Sequence, residues 1–268
     1  MMDKAFLVRL KKWFLKYART FDCEDDQCRK AVVSKLKHSF GVSRDILLIG
    51  KELSLKEKDL ILAQTMALLH DIGRFEQYAK YRTFVDKDSV NHAELSVKVI
   101  DSNNILESLD PFSRNLLTQA ILYHNNLSLP YGETEKCLFF TKLLRDSDKL
   151  DICRFFIEDQ VEGKNGSGYS FIIELPDSPG VSEGVYSDLS QKKIVNYDHV
   201  HNINDYKLLL ISWVYDINFY PTFQLIKKRN YLKRIQSSLL GAPFKIDNVY
   251  SKVRVYLEKK IYYSKPGA

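Results

Sequence analysis

The segment "LSLKEKDLILAQTMALLHDIGRF", residues 53–75, decides the fold. Apolar residues in it recur at the spacing of one helical face, at Leu60, Ala63 and Ala67. The next position on that stripe is His70, and Asp71 follows it. An ionisable side chain that is buried without a partner is costly, so this pair needs compensation. The segment alone leaves two explanations open: a satisfied core histidine whose neighbour fixes a helix end, and a bound metal ion.

Helical periodicity extends along most of the chain, and the alternation typical of strands is scarce. Two helix starts carry capping signals, Ser54 with Glu57 and Asn91 with Glu94. Residues 167–180 are rich in Gly, Ser and Pro, which predicts a loop or short hairpin. A further helix is expected over 223–241, with Gly241 as its C-cap. The fold class is therefore predicted to be all-α.

The composition is that of a folded domain, because 45% of the 268 residues are hydrophobic. No apolar run approaches the roughly 20 residues of a membrane span. The basic, amphipathic segment 1–17 is interpreted as a helix of the folded protein; binding to a membrane surface is the alternative. The cysteines form no CxxC pair, so we expect reduced thiols, no cysteine-based zinc site and a cytoplasmic location; they are Cys23, Cys28, Cys137 and Cys153.

The net charge of +6 is unevenly distributed. Residues 38–153 hold 14 Lys and Arg against 17 Asp and Glu, whereas residues 226–265 hold 11 against 2. We interpret the basic C-terminal segment as solvated faces of amphipathic helices. Attraction of an anionic substrate or of nucleic acid is the alternative, and nucleic acid is the less favoured partner.

Four of the six histidines fall in the first half of the chain, on or at the edge of predicted helices. His124 continues an apolar stripe, and so does Asp148. Several inward histidines and carboxylates together favour a divalent metal, and their nitrogen and oxygen ligands suit Fe, Mn, Zn or Ni. His199 and His201 fall in a predicted turn without an inward carboxylate, so no metal is expected there.

Three motifs, "KHSFGVSRDILLIGKEL", "ALLHDIGRF" and "LLRDSDKLDI", resemble those of the HD superfamily of metal-dependent phosphohydrolases. The similarity covers about residues 30–155, and it is closest to stand-alone prokaryotic members. It implies an all-helical bundle around a metal site, and the helical patterns after residue 180 predict an additional helical extension at the C-terminus. By that pattern the metal ligands are His38, His70, Asp71 and Asp148.

His92 and His124 lie where family members with two metal ions have histidines. The resemblance therefore implies one or two divalent ions (Fe, Mn, Ni, Zn or Mg), with Asp71 as the bridging ligand and a catalytic residue. Asp146 is the alternative to Asp148 as last ligand, although the two lie about 200° apart on a helix. The chain lacks the adjacent histidine pair and the Gly-Tyr-Pro signature of the diguanylate phosphodiesterase branch. It also lacks the acidic residues that follow the HD pair in the alarmone hydrolases, where Glu76 is only a partial match.

The predicted activity is hydrolysis of a nucleotide or another small phosphate ester. Arg74 is the candidate catalytic and phosphate-binding cation, and the other predicted substrate-binding residues are Gln77, Lys149 and Arg145. Two alternatives use the same residues: a di-iron oxygenase of this fold, and a non-catalytic nucleotide-binding regulatory module. The expected organisation is an N-terminal helix in 1–29, the metal-binding domain in 30–160, and a loop with a helical extension in 161–268.

Overall fold

The computed structural model describes residues 2–21, 25–161, 175–239, 241 and 245–263, and its regular elements are helices. No strand occurs in these ranges, so the all-α prediction is confirmed. The α-helices are α1 (Lys4–Arg19), α2 (Asp26–Glu52), α3 (Glu57–Leu69), α4 (Gly73–Tyr81), α5 (His92–Ser102), α6 (Pro111–Tyr123), α7 (Glu135–Phe156), α8 (Glu183–Ser190), α9 (Ile203–Ser212), α10 (Tyr220–Lys228), α11 (Tyr231–Gln236) and α12 (Lys245–Tyr263). Helix α7 continues into a π-helical turn at Ile157–Val161.

Helix α3 is the central helix of the first half, since all residues from Ile61 to Leu69 are buried. A helix that is apolar all round must be surrounded by other helices, and α1, α2 and α6 pack against it. The predicted Ser54 cap is wrong. Lys56 occupies the N-cap position, and Ser54 has a φ of 56°, which places it in the turn before the helix.

The described residues up to Asp151 form one compact unit, and those from Ile152 onward form a second. In the first unit α4 packs on α2 and α5, and α5 packs on α6. Helix α1 adds an aromatic edge to this unit, where the Phe14 ring contacts the rings of Phe40 and Phe75 at 5.9 and 5.7 Å between centroids. The predicted three-part division at residues 29 and 160 stays a prediction.

The second unit contains α8 to α12, and its central element is α9, in which every residue is buried. The buried carboxylate of Asp205 in α9 accepts hydrogen bonds from the backbone N and the hydroxyl of Ser182, at 2.8 and 2.6 Å. The single helix predicted over 223–241 is wrong. The chain forms two helices there, separated at Asn230, whose φ is 55°. Helix α11 ends at Gln236, so Gly241 does not cap it. The hairpin predicted in 167–180 lies mostly outside the described residues.

The described cysteines are in two different oxidation states. Cys137 and Cys153 are reduced, but Cys28 is disulfide-bonded, so the expectation of reduced thiols is wrong there. A disulfide needs only two Cβ atoms within about 4 Å, and the spacing of cysteines along a chain does not reveal such an approach. Cys23 lies outside the described residues.

Among the helices described, none combines the length and apolarity needed to cross a bilayer.

Candidate metal centre

The six predicted metal ligands come together in the first unit, although they lie on five different helices or at their ends. His38 lies within α2, His70 and Asp71 follow α3, His92 begins α5, His124 follows α6, and Asp148 lies within α7. Their ligand atoms form three overlapping groups, and within each group the atoms lie within 4.8 Å of one another. The groups are His38 with His70 and Asp71, His70 with His124 and Asp148, and Asp71 with His92 and His124.

We name the first part of this cluster site A, which comprises His38, His70, Asp71 and Asp148. The Nε2 atoms of His38 and His70 lie 3.0 and 3.6 Å from Oδ1 of Asp148. The same nitrogens lie 3.8 and 3.9 Å from Oδ2 of Asp71. Two imidazoles and two carboxylates therefore face one another across a space of a few ångströms.

We name the second part site B, which comprises Asp71, His92 and His124. The Nε2 of His92 lies 3.5 Å from Oδ1 of Asp71 and 3.1 Å from the Nε2 of His124. Asp71 therefore presents Oδ2 to site A and Oδ1 to site B. This is the geometry expected of a carboxylate that bridges two cations.

The Nδ1 atom of each of the four histidines is already bonded to an oxygen that can only accept. His70 and His124 use the carbonyl oxygens of Ala67 and Ile121, at 2.8 and 2.6 Å. His38 and His92 use carboxylates, those of Asp151 at 2.9 Å and Asp86 at 2.6 Å, described below. Each Nδ1 must therefore donate, and in a neutral imidazole Nε2 then carries a lone pair.

The Nε2 atoms converge with the carboxylates of Asp71 and Asp148, and two buried atoms of this cluster lack a hydrogen-bond partner. Nε2 of His70 and Oδ1 of Asp148 are buried and have no hydrogen-bond partner. The facing Nε2 atoms of His92 and His124 cannot both be acceptors at 3.1 Å unless a cation or proton lies between them. The carbonyl ends of α3 and α6 also favour positive charge here. The residues present therefore fit a divalent metal ion, with ligands typical of Fe, Mn, Ni or Zn.

The electrostatics differ across the cluster. Burial opposes a charge on His38, but the carboxylates of Asp148 and Asp151 raise its pKa to about 9. Burial, with His92 and His70 nearby, lowers the pKa of His124 to about 3. Burial opposes ionisation of Asp71, but Lys35 and the histidines hold its pKa well below the usual range. Burial also lowers the pKa of His92, so positive charge is attracted to site A while both histidines of site B favour the neutral form.

The support for His38 comes from α7. Asp151 is fully buried, and its Oδ1 also lies 3.7 Å from Nη2 of Arg44. The backbone of Gly41 lies directly under this carboxylate, since a Cβ on that residue would lie 1.9 Å from Oδ1 of Asp151. A glycine at this position allows α2 and α7 to approach closely enough for the His38–Asp151 bond.

The support for His92 comes from the segment between α4 and α5. Asp86, in a short 3₁₀ turn, also accepts hydrogen bonds from Nη1 of Arg74 and Nε2 of Gln77, both at 3.0 Å. Gly73 brings the start of α4 against the backbone of α5, where a Cβ would lie 2.6 Å from the Ser96 nitrogen. This close approach places Asp71 beside His92.

The predicted substrate-binding residues are mostly engaged in internal contacts. Nη1 of Arg74 donates to Gln77, to the Phe84 carbonyl and to Asp86, and its Nε lies 3.4 Å from Oδ1 of Asp71. Gln77 is fully buried. Nη1 of Arg145 donates to the carbonyls of His124 and Asn126, so it holds the end of α6. Their roles in substrate binding stay predictions.

Two more predicted site residues, Lys149 and Asp146, lie on α7. Lys149 is partly exposed. Asp146 is fully buried, and no metal-ligating group found among the described residues includes it, whereas Asp148 belongs to one.

Three polar residues at the cluster were not predicted as functional. Lys35 lies one helical turn before His38, and Asp151 lies one turn after Asp148, so helical spacing could have identified both. Asp86 lies in a connecting segment, where no periodicity marks it. His199 binds Asp188 at 2.7 Å, and neither it nor His201 belongs to a metal-ligating group in the described part of the chain.

Comparison with known proteins agrees with this geometry. Residues 36–153 match the family model of the HD domain, which confirms the resemblance to the HD superfamily. Members of that family are generally metal-dependent phosphohydrolases, and their all-helical domain binds divalent metal ions. No curated protein and no solved structure matches the chain significantly.

Proposed function

Since residues 36–153 form an HD domain, we propose that the protein is a metal-dependent phosphohydrolase that acts on a nucleotide or another small phosphate ester. The observation that carries the proposal is the convergence of four histidine Nε2 atoms with the carboxylates of Asp71 and Asp148, where Nε2 of His70 and Oδ1 of Asp148 are buried without a hydrogen-bond partner. A structural core would satisfy such atoms with donors, whereas a metal ion needs them as ligands.

In the proposed site, His38, His70, Asp71 and Asp148 would hold one divalent ion, and Asp71, His92 and His124 would hold a second. Such ions supply Lewis acidity, which lowers the pKa of water and neutralises phosphoryl oxygens. In the reaction the oxygen of one water molecule forms a bond to phosphorus, and the bond from phosphorus to the ester oxygen breaks. The proton lost by the water ends on the leaving oxygen, so atoms and charge balance.

The protein's own groups orient this site. Asp151 and Asp86 keep the Nδ1 protons of His38 and His92 in place, so both Nε2 atoms stay available as ligands. The carbonyls of Ala67 and Ile121 do the same for His70 and His124. Arg74 supplies a positive charge at the edge of the cluster, next to Asp71.

The experiment combines elemental analysis with phosphate release. The purified protein is loaded with Mn²⁺ or Fe²⁺ and assayed on p-nitrophenyl phosphate and a panel of nucleoside monophosphates. We expect about two metal equivalents and release of phosphate for the wild type. His70→Asn should lose the site A ion and phosphate release while site B keeps its ion, and His124→Ala should retain about one equivalent with reduced activity, because Asp71 and site A remain.

His201→Ala is the matched control, since it removes an exposed histidine far from the cluster in sequence and should change neither measurement. Circular dichroism checks that the variants keep their helices. Iron-dependent consumption of O₂ without phosphate release would contradict hydrolysis and favour the oxygenase alternative. Tight nucleotide binding without turnover or metal would favour the regulatory module.

A further inference from the structure

Lys35 is a cation at site A to which the proposed hydrolysis gives no role. It lies on α2, three residues before His38, so both side chains extend from the same helical face. Its Nζ lies 2.9 Å from Oδ2 of Asp71, and 15% of the side chain is exposed. The ammonium group is therefore at the cluster, and it keeps a limited opening to solvent.

The direction of Lys35 is fixed by an aromatic ring. Nζ lies 4.9 Å from the centroid of the Phe84 ring, and Phe84 packs against a small core cluster of Cys28, Ala31 and Tyr78. A cation over an aromatic face is held by the negative potential of that face. The Phe84 ring thus holds the Lys35 ammonium group toward the metal centre.

A bound metal changes the surroundings of this ammonium. Oδ2 of Asp71, which pairs with Lys35, is the same oxygen that faces Nε2 of His38 and His70. Asp71 would hold a divalent ion at site A through this oxygen, and the ion would add a second positive charge beside Lys35. The single charge of Asp71 would then be shared between the ammonium and the ion, so a further anion against both would be stabilised.

We propose that Lys35 binds the phosphoryl group of the substrate, and that this group is a terminal phosphomonoester. This inference rests on the proposed function. Two divalent ions bring four positive charges and the ligands Asp71 and Asp148 bring two negative ones, so Lys35 increases an existing positive excess. A phosphomonoester dianion neutralises more of that excess than the single charge of a diester.

Arg74, the cation that the sequence predicts for this role, is less suited to it. The two protons of its Nη1 are shared among three internal acceptors, Gln77, the Phe84 carbonyl and Asp86, which leaves Nε as a buried nitrogen without a hydrogen-bond partner. Lys35, in contrast, has Asp71 as its ion-pair partner among the described residues, and that is the carboxylate a metal ion would claim. The difference assigns recognition of the phosphate to Lys35 and support of Asp86 to Arg74.

The test compares Lys35→Met with Lys37→Met, which removes an exposed lysine two residues further along the same helix. The Mn²⁺-loaded proteins are assayed with p-nitrophenyl phosphate, a monoester, and bis-p-nitrophenyl phosphate, a diester. Inorganic phosphate serves as a competitive inhibitor, and metal content is measured on the same samples.

We expect Lys35→Met to keep its metal while KM for the monoester and Ki for phosphate rise by about ten- to a hundredfold, as for loss of a charge-assisted hydrogen bond. The diester should be affected less, Lys35→Arg should restore part of the loss, and Lys37→Met should resemble the wild type.

Three outcomes would overturn the inference. An unchanged Ki for phosphate in Lys35→Met would show that Lys35 only neutralises Asp71. Loss of metal in Lys35→Met would show that the residue supports metal binding and does not act on the phosphate. An equal or larger effect on the diester would exclude the monoester. A wild type that holds metal but neither binds nor hydrolyses phosphate esters refutes the proposed function itself, which is a distinguishable failure.

Discussion

Sites A and B share Asp71 but are supported in different ways. In site A the Nδ1 of His38 is held by Asp151, which is fully buried on a long helix and lies against Gly41. In site B the Nδ1 of His92 is held by Asp86, whose side chain is 31% exposed in a short turn between helices. A ligand supported from a helix interior is more rigid than one supported from a connecting segment. We therefore expect site A to hold its ion tightly and site B to exchange its ion more readily.

The largest effect on this difference is expected from Gly41→Ala. The new Cβ would lie 1.9, 2.5 and 2.7 Å from three atoms of the Asp151 carboxylate, so the whole group must move away from His38. Overpacking typically costs about 1–3 kcal/mol, of which the better helix propensity of alanine offsets about 1 kcal/mol. Chemical denaturation should show that modest loss of stability, and elemental analysis should show an emptied site A.

The double variant Gly41→Ala with Asp151→Ala separates the clash from the lost support. It should recover part of the stability of Gly41→Ala, because the crowded carboxylate is gone, but it should not recover the metal. If Gly41→Ala alone bound metal as the wild type does, the role of the Gly41–Asp151 contact in site A would be refuted.

The second prediction compares Asp151→Asn with Asp86→Asn. Loss of such a supporting carboxylate typically weakens metal binding by about 10–100-fold. Asp151→Asn should weaken the tighter of two binding events, and Asp86→Asn the weaker one, as measured by titration calorimetry with Mn²⁺. Asp198→Asn, at an exposed position in the second unit, is the control and should leave both events unchanged. Weakening of the same event by both variants would show that the two sites are not separately supported.

The smallest effect, for a change of one pH unit, is the pH dependence of metal uptake. Burial disfavours charged His38, yet Asp148 and Asp151 raise its pKa to about 9, so below that pH the metal-free ring holds a proton that an ion must displace. The affinity of site A should then fall about tenfold for each pH unit below 9. Burial lowers the pKa of His124 to about 3, so its Nε2 is already free of protons near neutrality.

Calorimetry in two buffers of different ionisation enthalpy measures these protons. His124→Ala, which retains site A, should release about one proton for each ion bound at neutral pH, and His38→Ala, which retains site B, should release almost none. Equal proton release from both variants would contradict the electrostatic difference between the sites.

Local signals in the sequence identified much of the fold and of the cluster. The cap at Asn91 is confirmed, since its side chain accepts from the backbone nitrogens of Ala93 and Glu94 at 2.9 and 3.4 Å. The cap at Ser54 failed, because the turn before α3 takes a left-handed conformation there. A capping pattern states which residues can cap a helix, whereas the path of the preceding chain decides whether they do.

The sequence by itself determined that the chain is helical and which histidines and aspartates face inward, because helical spacing is a local property that repeats every 3.6 residues. Only the tertiary structure decided which oxygen of Asp71 faces which site, and that Asp151 supports His38 across 113 residues of sequence. It also decided that Nη1 of Arg74 is bonded to internal acceptors while Lys35 faces the metal centre. These outcomes depend on how separate helices pack, and the periodicity of one segment carries no information on its distance from another.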